Sequence, residues 1–82
     1  MAYELDENRY NILLNVTYEP QGGLQKLLLK LKNQLFVQEI EGTTKYFIEI
    51  SDEDRERIIR YANNYGEGGP QNILREVFSD LM

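Results

Sequence analysis

The chain contains neither cysteine nor histidine. Without thiols there is no disulfide staple, and without thiolate or imidazole the usual zinc ligands are missing too. Acid–base or nucleophilic work would fall to carboxylates, Tyr or Lys, and no pair of these is singled out by its context, so no catalytic residue is assigned and an enzyme is not expected. Long apolar runs are also lacking. The leucine-rich stretch from Leu24 to Leu35 is broken by Lys26, Lys30 and Lys32, far short of the roughly 20 apolar residues of a membrane span. Met1 to Glu7 is acidic where a secretory signal is basic, and no apolar run follows it. The expectation is a soluble, cytoplasmic protein with no membrane partner.

What is present suits one small domain covering residues 1–82. Hydrophobic residues make up 41% of the chain and charged residues 28%, too apolar for a disordered segment. A chain of this size buries only about 60–65% of its unfolded surface, so a second copy would add useful core. The net charge is −5, and neither half is basic: residues 1–41 carry four basic against six acidic groups, residues 42–82 five against eight. That balance opposes nonspecific nucleic-acid binding, which draws its affinity from Lys and Arg on phosphates, unless the positive charge is gathered on one face.

Tyr10, Ile12, Leu14, Val16 and Tyr18 alternate with polar residues and predict a strand. Glu19-Pro20-Gln21-Gly22-Gly23 ends it with a turn. Leu24, Leu27, Leu28, Leu31 and Leu35 recur at helical spacing, and no β-branched residue interrupts them, so an amphipathic helix follows. Phe36 to Ile40 and Lys45 to Ile50 read as two strands joined by a hairpin turn at Glu41-Gly42-Thr43-Thr44. Ser51 is a helix N-cap, and Asp52, Glu53 and Asp54 oppose the positive end of the helix dipole. Glu53 with Arg57 and Glu56 with Arg60 are i,i+4 pairs, while Ile58, Tyr61, Ala62 and Tyr65 form the inward stripe. Gly66 suits a C-terminal cap and Pro70 the first turn of a last helix, whose apolar side is Ile73, Leu74, Val77, Phe78 and Leu81. The predicted class is α+β, in the order β-α-β-β-α-α.

The segment 45–82 resembles the ribbon-helix-helix domain of Arc and CopG type repressors. It offers an alternating strand (Tyr46, Ile48, Ile50), an acidic cap at Ser51-Asp52-Glu53, a first helix closing with Tyr61-Ala62 and Gly66, and a second helix Asn72-Ile73-Leu74-Arg75-Glu76-Val77-Phe78. The resemblance implies a homodimer whose paired strands enter the major groove of DNA. The implied DNA contacts are Lys45, Phe47 and Glu49 on the strand, Arg55 and Arg57 on the first helix, and the amides around Gln71 at the start of the second. Two departures stand out. Phe47 and Glu49 offer apolar contact and a repelled carboxylate where base readers are wanted, and Phe36–Ile40 is placed to pair with the same strand inside the chain. As a structural residue, Phe47 would instead pack beneath the leucine helix.

Other residue sets point elsewhere. Gly66-Glu67-Gly68-Gly69 lacks the lysine and hydroxyl residue of a phosphate-binding loop, so no cofactor is expected. Asp52-Glu53-Asp54 lacks the ligand spacing of a calcium loop, and no metal is expected. Lys26, Lys30 and Lys32 are a solvated helix face or a contact to DNA or an acidic partner. The leading expectation is therefore a non-enzymatic, homodimeric DNA-binding transcriptional repressor. The alternative is an acidic inhibitor or adaptor, of the kind phages and mobile elements encode, in which Glu39, Glu41, Glu49, Asp52, Glu53 and Asp54 engage a basic protein partner or imitate nucleic-acid charge.

Overall fold

The computed structural model describes residues 1–17, 22–64 and 69–81. It is an α+β domain with three strands and four helices in the order β1 (Ala2–Leu5), α1 (Glu7–Leu14), α2 (Gly23–Lys32), β2 (Leu35–Ile40), β3 (Thr43–Glu49), α3 (Asp52–Asn64) and α4 (Gly69–Val77), closed by a 3-10 turn at Ser79–Leu81. The predicted class, the leucine helix, the hairpin and the two C-terminal helices are all present. Tyr18, the turn residues Glu19 to Gln21, Tyr65, and the Gly66 to Gly68 part of the helix cap and loop lie outside the described residues.

The N-terminal third differs from the sequence reading. Where alternation predicts a strand, Glu7–Leu14 is helical, and the strand of this region is the preceding Ala2–Leu5. Asp6 explains the change, because its side chain accepts from the Arg9 amide at 2.8 Å and caps the helix, satisfying a donor that a strand would have paired otherwise. The alternation misplaces the inward face at Leu14: Leu13 is 0% exposed and Leu14 41%, although Val16 is buried and Tyr10 and Ile12 pack against the core. The order is thus β-α-α-β-β-α-α. Leu35 also moves, from the end of the leucine helix to the first position of β2.

The sheet is antiparallel with strand order β1-β3-β2. Tyr3 pairs with Ile48 across β1 and β3, and Leu35 pairs with Ile48 across β2 and β3. The hairpin turn is the two residues Glu41 and Gly42, with φ of 52° and 77°, the left-handed pair that matches strand twist in a tight hairpin. Because that turn is shorter than the sequence suggests, β3 starts at Thr43.

One face of the sheet, carrying Leu5, Tyr46 and Ile48, meets the helices. Tyr10 of α1 lies over Tyr46 with ring centroids 4.8 Å apart, and Phe78 lies 6.4 Å from Tyr3. Leu24, Leu27, Leu28 and Leu31 of α2 join Ile58 and Ala62 of α3 and Leu74, Val77 and Phe78 in one buried cluster. The two C-terminal helices are therefore sealed by the chain's own α1 and α2. Side chains stitch the helices at their ends: Lys32 donates to the Val16 carbonyl at 2.8 Å, Arg75 to the Ala62 carbonyl at 3.0 Å, and Arg9 to Asp80 and Ser79 at 2.8 and 2.9 Å.

Neighbouring leucines test the helical register of α1. Leu13→Ala should lower the unfolding free energy by about 2–5 kcal/mol, whereas Leu14→Ala should change it by less than about 0.5 kcal/mol. Urea denaturation of both variants measures this, and comparable losses would restore the strand.

Candidate functional site

Strand register divides the candidate residues between two faces of the sheet. Directly opposed residues share a face, and successive residues alternate. Phe36 pairs with Phe47, Gln38 with Lys45, and Glu4 with Phe47, so these side chains stand on the face opposite Ile48. Phe36 and Phe47 stack with centroids 5.3 Å apart and ring planes at 16°. Neither ring belongs to the core cluster or to the side chains packed against it. The expectation that Phe47 packs beneath the leucine helix is therefore overturned, since α2 lies on the other side of the sheet.

Charged groups rim this aromatic pair. Lys45 lies 3.6 Å from Glu4, and the Glu49 carboxylate accepts from the Met1 amino group at 2.6 Å. Beyond the helices the hairpin runs on alone: residues 37–44 are all exposed, with Val37 at 45% and Ile40 at 43%. Glu39 and Glu41 stand on this end and make no ion pair among the described residues. The outer edge of β2 pairs with no strand among the described residues. It carries neither the lysine nor the proline that commonly blunts an edge against pairing.

Strand β3 has hydrogen-bonded neighbours on both edges within its own chain. A ribbon formed between two chains through Lys45 to Ile50 would require β1 or β2 to leave it. The remaining implied DNA contacts are dispersed. Arg55 is exposed on α3, Gln71 is half-buried in the first turn of α4, and Arg57 pairs with Glu53 at 2.9 Å while lining a cleft between α2 and α3. Glu56 and Arg60, an expected i,i+4 pair, do not form an ion pair. Sequence reasoning missed Phe36 and Glu4 as parts of the sheet face. Counting outward from the two-residue turn at Glu41-Gly42 would have placed Phe36 opposite Phe47.

The acidic run that opens α3 separates into three roles. Asp52 is exposed and Glu53 holds Arg57. Asp54, by contrast, is only 3% exposed and forms an ion pair with Lys30, so it is not available to a partner. It also closes a capping box: its amide donates to the Ser51 hydroxyl at 3.1 Å, and its carboxylate accepts from the Ser51 amide at 3.3 Å, reciprocally satisfying two donors at the helix start. Gln34 adds a bond to the carboxylate at 3.2 Å and another to the Glu49 carbonyl at 2.6 Å. Burial pushes the Asp54 carboxyl up, but the bonds from Lys30, Gln34 and Ser51 outweigh it and bring the pKa to about 2.

No protein-family model, curated protein or solved structure matches this chain. Among the described residues, no helix is long and apolar enough to cross a membrane, and no three acidic side chains gather as metal ligands would.

The Asp54 bonds set an acid limit on stability. With a folded pKa of about 2 against an ordinary 3.8, the ionised carboxylate contributes fully above about pH 4. The contribution falls as pH drops towards 2 and vanishes below it, and its full size is about 2–3 kcal/mol. Asp54→Asn should therefore cost about that much at pH 7 and little at pH 2. Urea denaturation of both proteins across this range would show the curves converging; a gap independent of pH would refute the assignment.

Proposed function

We propose that this chain is a non-enzymatic regulator that acts by binding a protein partner through the open face of its sheet and the projecting β2–β3 hairpin. The observation that carries the reading is the stacked Phe36–Phe47 pair on a sheet face that no described element covers. Two half-buried phenylalanines stacked on each other within a polar rim are the composition of an interface anchor, in which aromatic side chains supply most of the affinity and the rim excludes water. The face continues to Ile40, while Val37 is exposed on the other side of the same hairpin.

The rim specifies the partner's chemistry. Glu4 and Glu49 flank the aromatic pair, each with a cation beside it, while Glu39 and Glu41 stand at the hairpin end and the whole chain carries a net charge of −5. A partner with an apolar recess and a basic border is complementary in both respects, and the field of an acidic protein would speed its encounter. The free edge of β2 adds backbone donors and acceptors that an extended segment of the partner can pair with. These features support the inhibitor or adaptor reading over the repressor reading. Operator binding through a ribbon asks Lys45 and Glu49 to leave Glu4 and the Met1 amino group, and asks β3 to free an edge.

The test compares variants as bait. Phe47→Glu should fold like the parent, because its ring lies outside the core, and should lose a specific basic partner that the parent retains from extracts of its source cells. Glu39→Lys with Glu41→Lys should weaken the same complex in a salt-dependent way. Two outcomes would overturn the reading. One is a salt-sensitive DNA complex abolished by Lys45→Ala; the other is a stable homodimer, seen by sedimentation, that buries Phe36 and Phe47 against a second copy.

A further inference from the structure

Nine cationic side chains are spread along the sequence, yet the fold gathers four of them, Lys26, Lys30, Arg57 and Arg60, around one cleft of about 380 Å³ between α2 and α3. Most of the others serve the fold or the sheet rim: Arg9 holds Asp80, Lys32 and Arg75 hold backbone carbonyls, and Lys45 holds Glu4. Within the cleft, Lys30 and Arg57 each hold one carboxylate, of Asp54 and Glu53. Among the described residues, Lys26 and Arg60 hold none. An ammonium has three donors and a guanidinium five, so even the two paired cations retain hydrogens for a ligand. With Lys30 and Arg57 each paired to a carboxylate, the charges of Lys26 and Arg60 remain to be balanced at the cavity, and a bound anion would balance them.

We infer that this cleft binds a compact phosphorylated ligand with two linked phosphoryl groups, such as a diphosphate ester. Phosphoryl oxygens match the forked guanidinium geometry of Arg57 and Arg60. The volume lies within the range of small-molecule sites and exceeds what a single phosphate group fills. Leu27 and the Tyr61 ring supply an apolar wall for the organic remainder. Tyr61 is held close to the start of α2: a Cβ at Gly23 would lie 3.3 Å from its Cζ and collide with its hydroxyl. That close approach makes glycine the residue that lets the wall stand there. A long polyanion is disfavoured, because Glu53 and Glu56 stand one turn before Arg57 and Arg60 and the rest of the chain is acidic. This site is separate from the sheet face and does not depend on the partner proposed for it.

Calorimetric titration of the full chain with inorganic pyrophosphate at low salt should give saturable one-to-one binding. Amide chemical-shift changes should concentrate in α2 and α3. Lys26→Gln combined with Arg60→Gln should weaken binding by at least about tenfold. Arg55→Gln, which removes one charge outside the cleft, should leave it unchanged. Circular dichroism should show both variants folded, since none of the three side chains makes a hydrogen bond or ion pair to a described residue. A nucleoside diphosphate should bind at least as well as pyrophosphate, and Gly23→Ala should reduce its advantage by moving Tyr61. Absence of saturation, or equal loss in the Arg55→Gln control, would overturn the site. A single-stranded oligonucleotide that displaces pyrophosphate at lower concentration than the nucleotide does would reassign the cleft to a nucleic-acid backbone and overturn the compact ligand.

Discussion

Strand β3 is hydrogen-bonded to β1 along one edge and to β2 along the other, and this double pairing governs what the domain can present to a partner. With both edges occupied, the strand holds Ile48 in the core and Phe47 on the reverse face. With the helices on the Ile48 side, the reverse face has no described cover. The unpaired backbone is thereby moved outward to β2, whose outer edge faces solvent. An antiparallel sheet with one packed and one open face is a common arrangement; two stacked phenylalanines on the open face are a less usual use of it. Isolated apolar residues on a surface need no explanation, but a contiguous pair at the centre of a charged rim does.

Charge placement follows a similar logic. The total of −5 treats all ionisable groups alike, whereas the fold assigns them separate tasks. Asp54 is withdrawn into a hydrogen-bonded junction, Glu53 neutralises Arg57, and Lys26 and Arg60, which pair with no described carboxylate, meet at one cleft. The hairpin end keeps the acids Glu39 and Glu41, while at the sheet rim Glu4 and Glu49 are each paired with a cation. A chain that looks uniformly acidic in composition therefore carries two surfaces of opposite character, and neither could be located from the net charge.

The elements most legible in the sequence were those whose pattern and end signals agreed. The leucines of α2 keep helical spacing between glycines and a polar turn, and Ser51 with Asp54 marks the start of α3 through a recognisable box. The N-terminal helix was misread because Tyr10, Ile12, Leu14 and Val16 satisfy a two-residue period by accident, while the deciding signal, the Asp6 cap, lies before the apolar run. Strand β1 spans four residues, too short for alternation to declare itself. The candidate site is only partly legible: Phe47 and the acids of the hairpin stand out in the sequence, but the direct opposition of Phe36 and Phe47 depends on register, which a two-residue turn fixes and a four-residue turn shifts. The cleft was hidden for a different reason. Its cations come from two helices separated by the whole hairpin, and nothing local in either helix indicates which faces meet.

Asp54 links these parts mechanically. Its carboxylate receives Lys30 from α2, Gln34 from the turn before β2 and Ser51 from the start of α3, while Gln34 also bonds the carbonyl and amide of Glu49 at the end of β3. A buried carboxylate is costly unless every acceptor site is used, and here the donors come from exactly the elements that must be held together. The consequence is that the two surfaces share a rigid base without sharing residues. Lys30 turns one side of the junction towards the cleft, and Glu49 turns the other towards the sheet face. Loosening this junction would disturb both surfaces together, whereas replacing Phe47 or Arg60, which stand outside it, leaves the opposite surface intact.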